Sequence, residues 1–343
     1  MLELHDPPGA FAKLEEYLAA EGFWGRPGVV ADLYLGYGLS APLRRTHTPP
    51  PPEPCPLPLL ACQIRSAPQA RYETSAFEVG SWERTWDDDG YGSAIGAVRA
   101  AIARGDVYQV NLVQHLAAAF DGDPAGLAPA LMPLRPLQGR PFLGDGWAIV
   151  SASPERFLKR RGQKLVTLPI KGTRPAGVDV EAEKDAAEHM MIVDLERNDL
   201  SRVCEPGSIR WPELMVQRSL AGVTHLVSTV EGRLRDDVSL SEILSATFPG
   251  GSVTGAPKIA ALDLIAALEP AGRGASMGAL GVVFPNGDLD LALTIRTFAV
   301  ADGRIHLWVG GGIVWDSEPE AEIEESWVKA RPLLASIGGL VLL

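Results

Sequence analysis

Ala279-Leu280-Gly281-Val282-Val283-Phe284, Leu289-Asp290-Leu291-Ala292-Leu293-Thr294-Ile295-Arg296-Thr297-Phe298 and Arg304-Ile305-His306-Leu307-Trp308-Val309 follow one another with only short breaks between them. These three apolar runs in succession read as strands. Upstream, residues 91–104 place Ile95, Val98, Ala101 and Ile102 at helical spacing and stop at Gly105-Asp106. Residues 107–113 then alternate as a strand does, and residues 147–152 form another strand ending at Ser153-Pro154-Glu155. Further helices are predicted over 181–195, 240–246, 257–268 (Pro257 suits a first helical turn) and 320–334. Strands and helices mix without the regular alternation of a doubly wound parallel sheet, so the class is α+β.

The first 47 residues hold a predicted helix over 9–21 and an apolar run with strand character over 29–39. Residues 48–58 carry seven prolines, which favours an extended polyproline conformation and is read as a surface connector rather than a docking peptide.

A chain of 343 residues, 46% apolar and 22% charged, can bury a substantial core. No window approaches 18 uninterrupted apolar residues, so no membrane partner is expected. The start, Met1-Leu2-Glu3-Leu4-His5-Asp6, lacks the basic and apolar regions of a secretory signal. Cys55, Cys62 and Cys204 fit neither a disulfide framework nor a zinc spacing, and a cytoplasmic location is expected. A net charge of −12 argues against nucleic acid, which calls for a basic face. It leaves room for an anionic small substrate, because a few cations and a metal ion can set the local field of a buried site.

Glu322, Glu325 and Lys329 are spaced to share one face of the last predicted helix. That face is either solvated or turned to a ligand, and Gly310-Gly311-Gly312 just before it would let backbone approach a ligand closely. Glu188 lies on another predicted helix among apolar Met190, Met191 and Val193. Carboxylates on separate helices, with few histidines and no usable cysteine pair, suit a hard oxygen-ligated cation, Mg²⁺ best of all. Gly274-Ala275-Ser276-Met277-Gly278 has the spacing of a hydrolase elbow but lacks the strand before and helix after it. The Gly-rich 250–258 loop has Ala256-Pro257 before Lys258 and misses the phosphate-loop pattern.

In chain order, Ser151-Ala152-Ser153-Pro154-Glu155-Arg156-Phe157, Pro169-Ile170-Lys171-Gly172-Thr173, the run from Glu188 to Leu200 containing Val193-Asp194-Leu195-Glu196-Arg197-Asn198-Asp199, Thr224-His225-Leu226-Val227-Ser228-Thr229, Gly250-Gly251-Ser252-Val253-Thr254-Gly255-Ala256-Pro257-Lys258 and Gly310-Gly311-Gly312-Ile313 are present. Together they resemble the chorismate-utilising enzymes, a family that includes anthranilate synthase, isochorismate synthase and aminodeoxychorismate synthase component I. The resemblance runs from about Trp82 to Leu334. It implies the anthranilate synthase component I-like chorismate-binding fold, α+β with two facing β-sheets and helices outside. It also implies a chorismate-binding catalytic domain over 82–335, preceded by a short segment, 1–81, packed on the same fold. The PIKGT form is similar to the aminodeoxychorismate synthase component I branch, whereas anthranilate synthases typically carry alanine in the place of Lys171.

Carried over position by position, the resemblance makes Glu188 and Glu325 magnesium ligands, with Glu322 acting nearby or through water. Mg²⁺ would then clamp the ring carboxylate of chorismate. Glu155 matches the glutamate that handles protons at the C4 oxygen, where a hydroxyl leaves only with a positioned acid. Lys171 matches the nucleophile that attacks C2. It must be neutral to attack, so its pKa is expected to be lowered by burial or by nearby Mg²⁺ and Lys329. Ammonia then adds at C4 and expels the lysine, giving 4-amino-4-deoxychorismate without loss of pyruvate. Gln109 stands where water-using members carry a lysine base, and an amide cannot deprotonate water. Arg296, read as a strand arginine, matches the residue that grips the enolpyruvyl carboxylate, a bidentate contact suited to guanidinium. His225 matches a histidine near the C4 side of the ring. Thr254, with the amides around Gly311 and Gly312, completes a carboxylate pocket, and Lys329 joins the substrate-binding set.

Residues 133–137 depart from the usual Asn-Pro-x-Pro-Tyr sequence, and no tryptophan-binding sequence of the family is recognisable near the start. Neither a glutaminase triad nor a pyridoxal-phosphate lyase is recognisable, so ammonia is expected from a separate glutamine amidotransferase subunit or from solution. Anthranilate synthase component I is the alternative activity, and a non-catalytic scaffold that binds the amidotransferase is the alternative class.

Overall fold

Eighteen strands of the described residues pair into two sheets, and every pairing between named strands is antiparallel. The computed structural model describes residues 1–67, 75–175, 183–220 and 223–338. The elements that build the site are, in chain order, strands β1 (Gln109–Gly122), β2 (Trp147–Ser151), β3 (Arg156–Arg161), β4 (Lys164–Leu168) and β5 (Ile170–Pro175) and helix α1 (Glu183–Ser201). Strand β6 (Val223–Arg233), helix α2 (Lys258–Leu268), strands β7 (Leu289–Leu293), β8 (Thr297–Ala301) and β9 (Arg304–Ile313) and helix α3 (Pro319–Ser336) follow.

The larger sheet runs Leu2–Leu4, Leu60–Ser66, Val29–Leu35, Ala279–Val283, β7, β3, β4, β6, β5. Strands β4 and β5 lie end to end along one edge of β6, with Arg210–Leu220 along the other. The second sheet runs Gly255–Ala256, β1, β9, β8, β2, Phe142–Leu143, and the short strands Phe77–Val79 and Glu83–Arg84 also pair with β1. The sheets share one core, in which Tyr34 of the first lies 5.9 Å from the ring of Trp147 of the second. A second core, with Phe298, Leu307, Trp327 and Leu333, seals α3 onto the outer face of the second sheet. This is the α+β arrangement that the resemblance implied. The strands Leu2–Leu4, Val29–Leu35 and Leu60–Ser66 extend the larger sheet, so the N-terminal residues share its hydrogen-bonded ladder. No described helix is long and apolar enough to cross a membrane.

Three expectations change. Residues 289–298 are two strands in different sheets, because the chain leaves β7 at Leu293, crosses, and enters β8 at Thr297. The run over 29–39 ends as a strand at Leu35 and continues as a 3₁₀ turn, Tyr37–Leu43. Helix α1 runs six residues past Leu195, because the polar side chains there have partners. Glu196 meets Thr167, Arg197 meets Asp194 and Asp199 meets Lys258.

Candidate active site

One carboxylate oxygen gathers the centre of the site. Glu188, on α1, accepts from the Gln109 amide of β1 at 2.6 Å and from the Lys171 ammonium of β5 at 2.8 Å, both on Oε1. The second sheet leaves room for this through glycine. A Cβ on Gly312 would lie 1.9 Å from Gln109 Nε2 and 2.7 Å from Glu188 Oε1, closer than real side chains allow. At Gly311 a Cβ would meet Glu322 Oε2 at 3.3 Å, Lys329 Nζ at 3.4 Å and Glu325 Oε1 at 3.5 Å. The predicted face of α3 is therefore turned to the β9 glycines. Lys329 binds Glu325 at 2.7 Å and donates to the Gly310 carbonyl at 2.8 Å.

Lys171 is 11% exposed and departs from expectation in the direction of its pKa. Burial pulls the amine down, but Glu188, Glu155 and Glu325 together outweigh it, and the net shift is upward. Carboxylates surround the amine and, without Mg²⁺ beside it, hold its proton. Lys171 is an ammonium here.

Glu155 follows β2 and is 4% exposed. Its pKa is raised by burial, against the opposing pull of Ser252, Lys171, the Ile170 amide and Arg296. The Ile170 N–H donates to it at 3.3 Å. A buried carboxyl that favours its protonated form can act as an acid. Arg296 sits at the crossing between β7 and β8 in left-handed backbone, φ 50°, a conformation uncommon for a non-glycine residue. It is a crossover residue and not a strand residue. Burial lowers its pKa, with Glu155 opposing, and it makes no carboxylate contact within 4 Å among the described residues. A guanidinium so placed is open to an anion.

Thr254 is not turned to this cluster: its hydroxyl donates to the Gly250 carbonyl at 2.9 Å, and its carbonyl accepts from Asn111 N–H. His225 lies on β6 opposite Arg218, and its side chain is outside the described residues. Two neighbours escaped the sequence reading. Asn111 lies two residues beyond Gln109, on the same face of β1, and the strand period already pointed to it. Ser252 is buried beside Glu155 in the Gly250-Gly251 turn, inside a motif from which only Thr254 was singled out.

The donor chemistry fits a hard cation in kind. Glu188, Glu322 and Glu325 border adjacent glycines, and buried Gln109 Oε1 and Asn111 Oδ1 are acceptors without partners. The ammonium groups of Lys171 and Lys329 now stand at two of these carboxylates. Among the described residues no three acidic, histidine or cysteine side chains are drawn together at metal-binding distance.

Residues 53–335 match the model of a protein family described as chorismate binding enzyme. The chain is 41% identical over 271 residues to aminodeoxychorismate synthase component 1 of Klebsiella aerogenes, covering 75% of this chain and 59% of that protein. It is 43% identical over 256 residues to anthranilate synthase component 1 of Thermus thermophilus, covering 70% and 55% respectively. The chain thus spans under two thirds of the length of these relatives. The crystal structure of anthranilate synthase component I from Streptococcus pneumoniae superposes with a TM-score of 0.77 at 26% identity, over 90% of this chain and 81% of that one. With the family match running from the proline-rich connector to the last helix, through every element that lines the Glu188 cluster, the chain belongs to the chorismate-binding enzyme family.

Proposed function

We propose that the chain is the chorismate-converting component of an aminodeoxychorismate synthase. It takes chorismate and ammonia to 4-amino-4-deoxychorismate and water, for para-aminobenzoate and folate synthesis, with ammonia supplied by a separate glutamine amidotransferase subunit. The observation that carries the reading is Lys171, a largely buried amine bound to Glu188 and within the field of Glu155 and Glu325. The relatives named aminodeoxychorismate synthase component 1 support it. The relatives named anthranilate synthase component 1 support the alternative at similar identity, and Lys171, where that branch typically carries alanine, favours the first.

In this reading Arg296 holds the enolpyruvyl carboxylate. Lys171 attacks C2 as a free amine, the ring double bond shifts, and the C4 hydroxyl leaves as water with the proton of Glu155. Ammonia then bonds to C4, the double bond returns, and the Lys171 nitrogen leaves C2. Mg²⁺ held by Glu188 and Glu325, with Glu322 nearby, would supply positive charge for the ring carboxylate and relieve the pull of Glu188 on the Lys171 proton. The carboxylates of Glu188, Glu322 and Glu325 offset Lys171, Lys329 and Arg296, which leaves a poor host for a dicarboxylate without that charge.

Purified chain with chorismate, ammonium and Mg²⁺ at alkaline pH is expected to form 4-amino-4-deoxychorismate, identified by mass, and to stop when chelator is in excess. Glu188→Ala and Glu325→Ala are each expected to abolish turnover. Anthranilate with pyruvate would establish the alternative, and full turnover in chelator would overturn the metal assignment.

A further inference from the structure

A second carboxylate on α1 contacts β4, the strand that leads into the β5 strand contacted by Glu188. Glu196 is 5% exposed and accepts from the Thr167 hydroxyl of β4 at 2.5 Å. Thr167 and Lys171 belong to one ladder. The register on β6 passes unshifted from Thr167–Val230 to Ile170–Val227 and Lys171–Leu226, and Pro169 between them accepts from Ser228 N–H. Glu196 over Thr167 and Glu188 over Lys171 are therefore two rungs between one helix and one continuous edge, running antiparallel.

The spacing of the rungs matches. Eight residues of helix rise about 12 Å at ~1.5 Å each. Four residues of strand span about 13 Å at ~3.3 Å each. If the first rung forms, the second falls opposite Lys171 without distortion. The contact of His189 with Ser228, 2.6 Å, ties α1 to β6 opposite Pro169, and the Glu196 rung is a second tie, about two helical turns further along α1. Glycine lets the helix settle at this depth: a Cβ on Gly251 would lie 2.9 Å from Leu195 Cδ2 and 3.4 Å from Glu196 Cγ.

We propose that Glu196 is a positioning residue, which through Thr167 fixes α1 against the β4–β5 edge in the register that brings Glu188 to Lys171. It touches neither substrate nor the reacting atoms. Burial pushes its carboxyl up to about 8, against Thr167, with Glu155 and Asp199 adding to the rise and Lys258 opposing it. The rung is thus a neutral contact at neutral pH, and it adds no negative charge beside Glu155. The inference rests on the assignment of Lys171 and Glu188 to the site proposed above.

A double-mutant cycle on the full chain tests it without any assay of activity. Unfolding in urea is measured for the wild type, Thr167→Val, Lys171→Met and the double variant. Side chains this far apart along a strand ordinarily contribute independently, within about two-fold in the folding equilibrium. Rungs that share one register are expected to be non-additive by at least five-fold, and additivity would overturn the proposal. In ammonium-dependent chorismate turnover, Glu196→Gln, which keeps an acceptor for Thr167, is expected to stay within three-fold of wild-type kcat. Glu196→Leu is expected to fall at least ten-fold, and wild-type kcat in it would overturn the proposal. Should Glu196→Leu not fold, Thr167→Val carries the same expectation. A wild type that does not turn over chorismate refutes the proposed function, while the unfolding cycle still decides the role of Glu196.

Discussion

At Gly312 the missing side chain is a demand of its neighbours, since the Gln109 amide and the Glu188 carboxylate occupy the space a Cβ would take. Gly312→Ala leaves an extended backbone that alanine can adopt, so the strand survives while the two side chains must swing away. Misplacing groups that orient a reactant by about 1 Å can lower rate about 100-fold. Turnover is expected to fall by at least ten-fold with a far smaller change in thermal midpoint, and wild-type kcat in Gly312→Ala would contradict this role. Single residues were legible to different degrees. Lys171, Glu188 and Gln109 could each be picked from their motifs. That all three meet at one carboxylate oxygen could not, because that depends on how α1 lies across β5 and β1. The upward shift of Lys171 without Mg²⁺ depends on the same packing, being a sum over three carboxylates brought in by separate elements.

Elements read well where local pattern decides them and poorly where the partner decides. Helix α3 and the strand β2 follow from spacing and end signals. The run over 289–298 looks uniform, yet it feeds two sheets, and only the left-handed backbone at Arg296 reveals the crossing. The end of α1 was lost because Glu196 and Asp199 look like solvent-facing residues until their partners Thr167 and Lys258 are known. The connection after α2 makes a test at this scale. Glu269 accepts from Arg273 through both oxygens, 2.7 and 2.8 Å, and from the Val113 N–H of β1 at 3.0 Å, with both charged side chains almost fully buried. Glu269→Ala strands a buried guanidinium and is expected to destabilise the chain by about 3–5 kcal/mol in urea unfolding. Breaking the exposed Glu324–Arg331 pair with Glu324→Ala is expected to leave the unfolding midpoint unchanged. Equal effects from the two variants would show that the buried pair does not anchor α2 to the second sheet.

For the whole molecule, buried groups set opposite responses to pH. Glu196 is raised to about 8 in the folded chain, so its protonated form is favoured by folding. Its contribution is fully present below the unfolded carboxyl value and is lost as pH rises through about 8, on the order of 5 kcal/mol in all. His115 and His306, buried and 3.0 Å apart, are lowered to about 3 and about 4, mainly by burial. Their contribution is present above the unfolded histidine value, ~6.5, and is lost as pH falls through the folded values. Urea unfolding between pH 5 and pH 9 should therefore show Glu196→Gln gaining on the wild type as pH rises, and a constant difference between the two would contradict the burial of a neutral carboxyl. The sheets, the helices and the glycine-lined cluster bring their side chains to Lys171, and intact-protein mass spectrometry tests its proposed role as the nucleophile most directly. Wild-type chain incubated with chorismate and Mg²⁺, without ammonia, is expected to gain the mass of chorismate less one water, mapping by peptide analysis to Lys171 and discharged by ammonium. An absent adduct, together with an unchanged rate of aminodeoxychorismate formation in Lys171→Ala, would contradict it.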